Sequence, residues 1–181
     1  MARVAALAGR RIDAADAATS RFPLANTEIV RGRLQTLFSA DETDTVVCSA
    51  GCGAELIALD VAGVLELRRR VVLPFAPERF RQTSVTDRPG DWGPLFDRII
   101  GEVRAEGDLV VLGLHEGDLP TYAAANEAIL NEAEALAGGE PWQVVAVIVW
   151  EGRVRGPDDL TEAFATLARA RGHAVREVLT V

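Results

Sequence analysis

The chain has 181 residues, of which 49% are hydrophobic and 25% charged, and its formal net charge at pH 7 is −8. This length predicts a single domain over residues 1–181, which is large enough to bury one sizeable core. The acidic net charge argues against nucleic acid as a partner, because proteins that bind nucleic acid usually carry an excess of basic residues. No apolar run reaches the ~18 residues of a membrane span, so we do not expect a membrane as a partner either. We expect a cytoplasmic protein.

Apolar runs alternate with helical patterns almost to the end of the chain. In chain order the predicted elements are strand 3–8, helix 26–40, strand 44–50, helix 54–66, strand 69–75, helix 91–105, strand 108–114, helix 121–139, strand 142–150, helix 157–172 and strand 173–181. Strands that are apolar on both faces and separated by helices are typical of a parallel sheet covered on both sides. We therefore predict an α/β fold, Rossmann-like and doubly wound. Its six-stranded, mainly parallel sheet has the order 3-2-1-4-5-6 and helices on both faces.

Ligands of such a fold bind at the carboxyl ends of the strands, where the strand order reverses. With the predicted order, the loops after strands one, two, four and five meet at that point. The connections 9–26 and 74–91 are long for this fold class, and long connections tend to have a function.

The loop after the second strand, residues 49–55, is made of small residues followed by a carboxylate. Small residues let an anion reach the N–H groups of a helix N-terminus, and glycine permits a tight turn. The dinucleotide and P-loop fingerprints are both absent. The loop therefore predicts either a phosphate or ribose seat or a tight turn that packs a helix closely on the sheet. Its candidate ligand residues are Ser49, Gly51, Gly53, Ala54 and Glu55.

Other candidates follow strands at the same edge. Arg10 and Arg11 end the first strand, and a guanidinium suits bidentate contact with phosphate, although a salt bridge to Asp13, Asp16 or Glu55 is the alternative. Thr83 and Ser84 lie in the long connection after the third strand. Either their hydroxyl groups donate to a ligand beneath them, or the loop that carries them lies across the edge of the sheet. Trp150 ends the fifth strand and either stacks on a base or packs against a helix or a second subunit.

Two cysteines, Cys48 and Cys52, and two histidines are too few for a metal site, so we predict no metal. The cysteines are expected to be buried thiols in a reducing compartment. The alanine-rich helix 121–137 has small residues that suit pairing across a homodimer.

Several motifs resemble the SLOG superfamily, Rossmann-like domains that include the lonely-guy phosphoribohydrolases and the DNA-processing protein A family. They are the small-residue loop ending in Gly-Ala-Glu, an alanine-rich helix, a strand ending in Leu-Pro, and Gly9-Arg10-Arg11 after the first strand. A bacterial branch often fused to cyclase or tetratricopeptide modules is similar in its RFP (21–23), VVLPF (71–75), FxxTSV (80–85) and VWEG (149–152) segments, and in Trp92 followed by Phe96.

The resemblance implies a binding site for nucleotides or nucleotide-derived small molecules, with Gly9 and Thr161 added to the candidates. It implies no certain cofactor. We therefore expect binding or sensing of such a ligand, and this is favoured over the alternative, a nucleotide N-glycosidase with Glu55 as its catalytic carboxylate. The segment 156–164 departs from the lonely-guy pattern, because Asp159 and Leu160 replace two glycines before Thr161. Those two residues would crowd and repel a phosphate at that helix start.

Overall fold

Six parallel strands form one sheet in the computed structural model, which describes residues 3–181. Met1 and Ala2 of the predicted domain lie outside the described residues. The strands are β1 (Val4–Gly9), β2 (Thr45–Cys48), β3 (Arg68–Leu73), β4 (Leu109–Val111), β5 (Val144–Trp150) and β6 (Ala174–Leu179). The helices are α1 (Thr27–Ala40), α2 (Ala54–Val64), α3 (Pro77–Ser84), α4 (Gly93–Ala105), α5 (Leu119–Leu136) and α6 (Leu160–Ala170).

Helices cover both faces of the sheet, so the predicted doubly wound α/β class is confirmed. Helices α1 to α4 pack on one face around Leu7, and α5 and α6 pack on the other. Strand β1 presents Ala6 and Ala8 to the second face. These small side chains let α5 lie close to the centre of the sheet, because each adds little bulk between helix and strand.

The strand order is β4-β3-β2-β1-β5-β6. The prediction placed the fourth strand beside the first; the structure instead pairs β4 with β3 and puts β5 beside β1, with Ala6 opposite Ala146. Strand β5 has seven residues, nearly all buried, whereas β4 has three that are only partly buried or exposed. A central strand must be apolar on both faces, so the longer and more apolar β5 takes the inner position. The strand order therefore reverses between β1 and β5.

The segment 80–87, predicted to lie in a long loop, belongs largely to helix α3. Pro77 occupies the first turn of that helix and Glu78 follows it, and both residue types favour a helix N-terminus. Phe80 turns inward, with its ring centroid 5.9 Å from that of Phe75 and 6.1 Å from that of Phe96. These aromatic contacts pin the helix beside the carboxyl end of β3.

Candidate functional site

A cavity of about 550 Å³ opens at the carboxyl edge of the sheet, next to the point where the strand order reverses. The connection between β1 and α1, the start of α2, the end of α3, the first turns of α5 and the start of α6 surround it. Cavities of ~300–1,000 Å³ at this edge of a parallel sheet are typical of small-molecule sites. Nine of the twelve predicted ligand residues line it: Gly9, Arg10, Arg11, Ser49, Gly51, Glu55, Thr83, Ser84 and Thr161.

The end of β2 brings Ser49, Gly51 and Glu55 to the cavity wall. Glu55 lies in the first turn of α2, and its Oε2 accepts the Gly51 N–H at 2.7 Å. Ser49 is 7% exposed, and its hydroxyl oxygen has no hydrogen-bond partner among the described residues. A serine hydroxyl in a cavity wall that bonds to no group of the chain is a candidate contact for a ligand.

Gly53 and Ala54 do not line the cavity, although both were predicted ligand residues. Gly53 has a φ of +103° and forms an isolated antiparallel bridge with Arg11. The N–H of Ala54 donates to Arg10 O at 3.1 Å, and the N–H of Cys52 donates to Ser84 O at 3.0 Å. Each of the two predicted roles of this loop, a ligand seat and a tight turn, therefore fits a different part of it. Gly53 and Ala54 make a tight packed turn, while Ser49, Gly51 and Glu55 face the cavity.

Glu55 is the titratable group best placed for acid–base work. Burial raises the pKa of its carboxyl to about 7, against the opposing effects of the Gly51 hydrogen bond and the charge of Arg11. A carboxyl group that titrates near neutral pH, in a cavity that a ligand can enter, exchanges protons readily under physiological conditions.

We expect Glu55→Gln to raise the free energy of unfolding at pH 8 by about 2 kcal/mol. The folded carboxyl keeps its proton up to a pH of about 7, whereas the carboxyl of the unfolded chain has its ordinary pKa of 4.5 and releases the proton there. The unfolded state therefore binds fewer protons between these values, and the stability of the wild type falls as pH rises through them. The amide oxygen of glutamine still accepts the Gly51 N–H.

Urea denaturation at several pH values measures this difference. The gain should shrink toward zero by about pH 4.5, where both states of the wild type hold the proton. Glu78→Gln is the matched control, because Glu78 is an exposed glutamate in the first turn of α3. It should change stability by less than about 0.5 kcal/mol at any pH. Equal curves for the two variants would contradict the buried state of Glu55.

Arg10 was predicted to hold an anionic ligand, but two carboxylates of the chain already accept hydrogen bonds from all three of its guanidinium nitrogens. Its Nε donates to Glu151 at 2.6 Å, and its Nη1 and Nη2 donate to Asp159 at 2.6 and 2.8 Å. The side chain is 2% exposed. Burial disfavours its charge, yet the hydrogen bonds to Asp159 and Glu151 raise the pKa of Arg10. Arg10 therefore ties β1 to β5 and α6.

Asp159 closes the N-terminus of α6. Its Oδ1 accepts the N–H groups of Thr161 at 3.0 Å and Glu162 at 3.3 Å, and its Oδ2 accepts that of Arg155 at 2.8 Å. Burial works against its charge, but the hydrogen bond from Arg10 keeps the pKa of Asp159 well below its usual value. The carboxylate occupies the position that an anion would take at a helix N-terminus. A ligand phosphate is therefore excluded from this helix tip, although Thr161 lines the cavity.

Arg11 and Arg88 line the cavity on the side of α3 and are both directed at Asp87. Arg11 donates to the two Asp87 carboxylate oxygens at 2.9 and 2.8 Å and to Thr83 O at 3.1 Å. Arg88 donates to Ile12 O at 3.2 Å and lies 3.7 Å from Asp87. Arg11 therefore forms a salt bridge, as in the alternative, but its partner is Asp87 and not Asp13, Asp16 or Glu55.

Of the remaining predicted ligand residues, two lie at the cavity and Trp150 does not. Thr83 and Ser84, at the end of α3, line the cavity, and their hydroxyl oxygens are 3.4 Å apart. Trp150 does not line it. The Trp150 ring lies 5.9 Å from the Arg10 guanidinium, and its Nε1 donates to Glu177 at 3.0 Å. The packing alternative for Trp150 is therefore the one the structure shows, because β5 ends with this side chain on the α5 and α6 face.

Sequence reasoning missed several lining residues, above all Arg21 and Arg155. Both lie in connections that were predicted to meet at this edge, the long loop after β1 and the loop after β5. Arg21 is placed by Asp13, whose carboxylate accepts the N–H groups of Arg21 and Phe22. The unusual length of the loop after β1 was the feature of the sequence that could have indicated Arg21. Its internal hydrogen bonds, which decide where Arg21 points, are formed only in three dimensions.

Both cysteines are free and buried, as predicted. Burial raises the pKa of the Cys48 thiol well above its usual value and that of Cys52 to about 11. In the described part of the chain, no three histidine, cysteine, aspartate or glutamate residues form a group suited to a metal ion. No helix within residues 3–181 has both the length and the apolar character needed to cross a bilayer.

Comparison with known proteins identifies a solved structure with a similar architecture. The X-ray structure of DNA processing protein A from Streptococcus pneumoniae superposes with a TM-score of 0.55 at 16% sequence identity. The match covers 97% of this chain and 50% of the other, so the chain spans half the length of that protein. The likeness shows that the chain has a Rossmann-like fold in common with that protein. The predicted resemblance to the SLOG superfamily is thus confirmed for the fold. No protein-family model matches the sequence, and neither does any curated protein.

The expectation that nucleic acid is not a partner is overturned by this comparison. The fold is shared with a protein named for processing DNA, so it is compatible with nucleic acid. The argument from net charge failed because it averages over the whole surface. Although the chain carries −8 in total, five arginines line the cavity: Arg10, Arg11, Arg21, Arg88 and Arg155.

Proposed function

We propose that this protein binds a nucleotide or a nucleotide-derived small molecule in the cavity and acts as a binding or sensing module. The observation that carries the proposal is the Ser49 hydroxyl, which is buried in the cavity wall with no hydrogen-bond partner among residues 3–181. An unsatisfied buried hydroxyl costs about 1–3 kcal/mol, and a ligand hydroxyl or ring nitrogen would recover that cost.

The chemistry of the cavity suits a molecule with an apolar ring, hydroxyl groups and an anion. Phe80, Tyr122 and Leu160 supply apolar and aromatic surface. Thr83 and Ser84 add hydroxyl groups, and the arginines supply positive charge. A cavity of about 550 Å³ holds a ligand of mononucleotide size, within the ~300–1,000 Å³ range of small-molecule sites.

The test is a thermal-shift and calorimetry screen of nucleosides and nucleotides on the wild type and on Ser49→Ala. The unliganded variant should be as stable as the wild type or more stable by about 1 kcal/mol, because no hydrogen bond is lost. Its affinity for the ligand should fall about fivefold or more, since the hydroxyl contact is gone. Opposite signs for stability and affinity distinguish a ligand contact from a structural residue.

Ser39→Ala is the matched control, because Ser39 lies exposed near the end of α1, far from the cavity lining. It should leave stability and affinity unchanged. The screen includes a short DNA oligonucleotide, since the neighbour in fold is named for DNA processing. Binding of the oligonucleotide alone, or no shift with any nucleoside or nucleotide, would refute the small-molecule proposal.

Glu55 supports a second candidate, cleavage of the N-glycosidic bond of a nucleoside monophosphate. Water would replace the base at the anomeric carbon, giving free base and ribose 5-phosphate, with a carboxylate stabilising the oxocarbenium-like centre. Glu55 lines the cavity, and its pKa of about 7 suits proton transfer near neutral pH. Release of free base that is abolished in Glu55→Gln would establish the enzyme. Binding without release would leave the sensing module.

A further inference from the structure

The four lining arginines other than Arg10 fall into two pairs that differ in their bonding. Arg11 and Arg88 share the Asp87 carboxylate and donate to backbone carbonyls. The guanidinium groups of Arg21 and Arg155 make no hydrogen bond to any described residue, yet both line the cavity. Unused guanidinium donors at a cavity wall are free to bind a ligand anion.

Arg21 is the more constrained of the two. Its Nη1 is buried, has no hydrogen-bond partner, and lies 3.6 Å from Glu151 Oε1. The Glu151 carboxylate is already bonded to Arg10. The Arg21 backbone is held at both ends, because its N–H donates to Asp13 and its carbonyl accepts from the Thr180 hydroxyl. Arg21 is therefore held at the cavity wall with a guanidinium that is near Glu151 but makes no hydrogen bond to the chain.

Arg155 lies in the connection from β5 to α6, and its backbone N–H is fixed by Asp159. Its side chain has no ion pair within 4 Å among residues 3–181. Partial burial, followed by the positive charge of Arg10, lowers the pKa of Arg155, and Arg21 adds to that effect. The two carboxylates nearby, Asp159 and Glu151, are both bonded to Arg10. An excess of positive charge thus remains at this end of the cavity.

The two ends of the cavity differ in chemistry. Arg21 and Arg155 lie at the β5 side, whereas Ser49 and Glu55 lie at the end of β2, with β1 between them. Two strand spacings separate β5 from β2, roughly 10 Å. That span suits an extended phosphate ester with hydroxyl or amine groups at its far end.

We propose that Arg21 and Arg155 together hold the phosphate of the bound nucleotide, and that its sugar and base extend toward Ser49 and Glu55. The proposal rests on the proposed function and deepens it. It places the phosphate on two side chains at the β5 side, away from the α2 tip, whose N–H groups at Gly51, Cys52 and Ala54 already bond within the chain. The ligand class is a nucleoside monophosphate or a sugar phosphate of similar length.

Calorimetry with adenosine 5′-monophosphate, adenosine and ribose 5-phosphate tests this assignment. Arg155→Ala should lower the affinity for both phosphate esters about tenfold or more and leave that for adenosine within about twofold. Arg21→Ala should act in the same direction. Arg153→Ala is the matched control, because Arg153 is an exposed arginine of the same loop that does not line the cavity. It should leave all three affinities unchanged.

The outcomes separate the two proposals. Equal effects of Arg155→Ala and Arg153→Ala on the monophosphate, or an equal loss for adenosine, would overturn the phosphate assignment while leaving nucleotide binding in place. Ribose 5-phosphate binding that depends on Arg155, without binding of either adenine compound, would support the anion site and refute a nucleotide ligand. No binding of any probe to the wild type would refute both.

Discussion

Arg10→Ala should lower the free energy of unfolding by about 3–5 kcal/mol. The variant would leave Glu151 and Asp159 largely buried without the cation that both now bind, at distances down to 2.6 Å. Breaking a buried ion pair on one side costs far more than the pair contributes, because the remaining charge stays desolvated. Thermal unfolding should show a fall in melting temperature of about 10 °C.

Two further variants make the Arg10 result specific. Arg153→Ala removes an arginine from the adjoining loop but keeps the backbone carbonyl that Arg10 uses, and should change stability by less than about 0.5 kcal/mol. Arg10→Met combined with Glu151→Gln and Asp159→Asn removes the buried charges together and should recover much of the loss, since asparagine also caps helices well. An Arg10→Ala variant as stable as Arg153→Ala would show that the buried ion pairs are not structural.

Gly53→Ala should cost about 3 kcal/mol or more, since two independent effects add. The φ of +103° is one that side chains rarely adopt, and a Cβ there would lie 2.8 Å from Ile12 N and 3.0 Å from Arg10 O. Both are backbone atoms that cannot move without breaking the bridge between Arg11 and Gly53. The loop after β1 would then lose its attachment to α2, and the cavity would lose one wall.

Urea denaturation measures the loss, and hydrogen exchange of the Ile12 amide locates it, because that N–H donates to Cys52 O at 3.2 Å. Gly32→Ala is the control, since Gly32 lies within α1 with no atom within 4 Å of an added Cβ. That change should stabilise the protein by about 0.5–1 kcal/mol. A Gly53→Ala variant that unfolds at the wild-type urea concentration would contradict the close backbone approach.

The site is built from side chains and not from helix N-termini. The chain satisfies the tips of α2 and α6 with its own groups, Asp159 at α6 and the loop after β1 at α2. What remains open to a ligand is a set of side chains: Ser49, Glu55, Arg21 and Arg155. The stability cost of Glu55 and of the Ser49 hydroxyl is of the kind that binding sites carry, because groups positioned for a ligand are left unsatisfied without one.

Much of the fold could be predicted from the sequence, because hydrophobic periodicity depends on local residue order. The apolar runs that became β1 to β6 and the alternating helical patterns determined an α/β sheet with covered faces, and therefore a ligand edge at the carboxyl ends of the strands. The loop from Ser49 to Glu55 could be picked out for the same reason, since small residues before a helix are a local signal.

Only the tertiary structure decided which strands are neighbours and which polar groups are left over. Strand β5 lies beside β1 because it is longer and more fully buried than β4, a competition between distant segments that no local pattern encodes. Arg10 and Arg21 are both arginines in the loop after β1, yet the first donates hydrogen bonds to Asp159, 149 positions away, whereas the Nη1 of the second has no hydrogen-bond partner and lies 3.6 Å from Glu151. Hydrogen bonding between residues remote in sequence determines which charges are neutralised, and the binding properties of the site follow from those that are not.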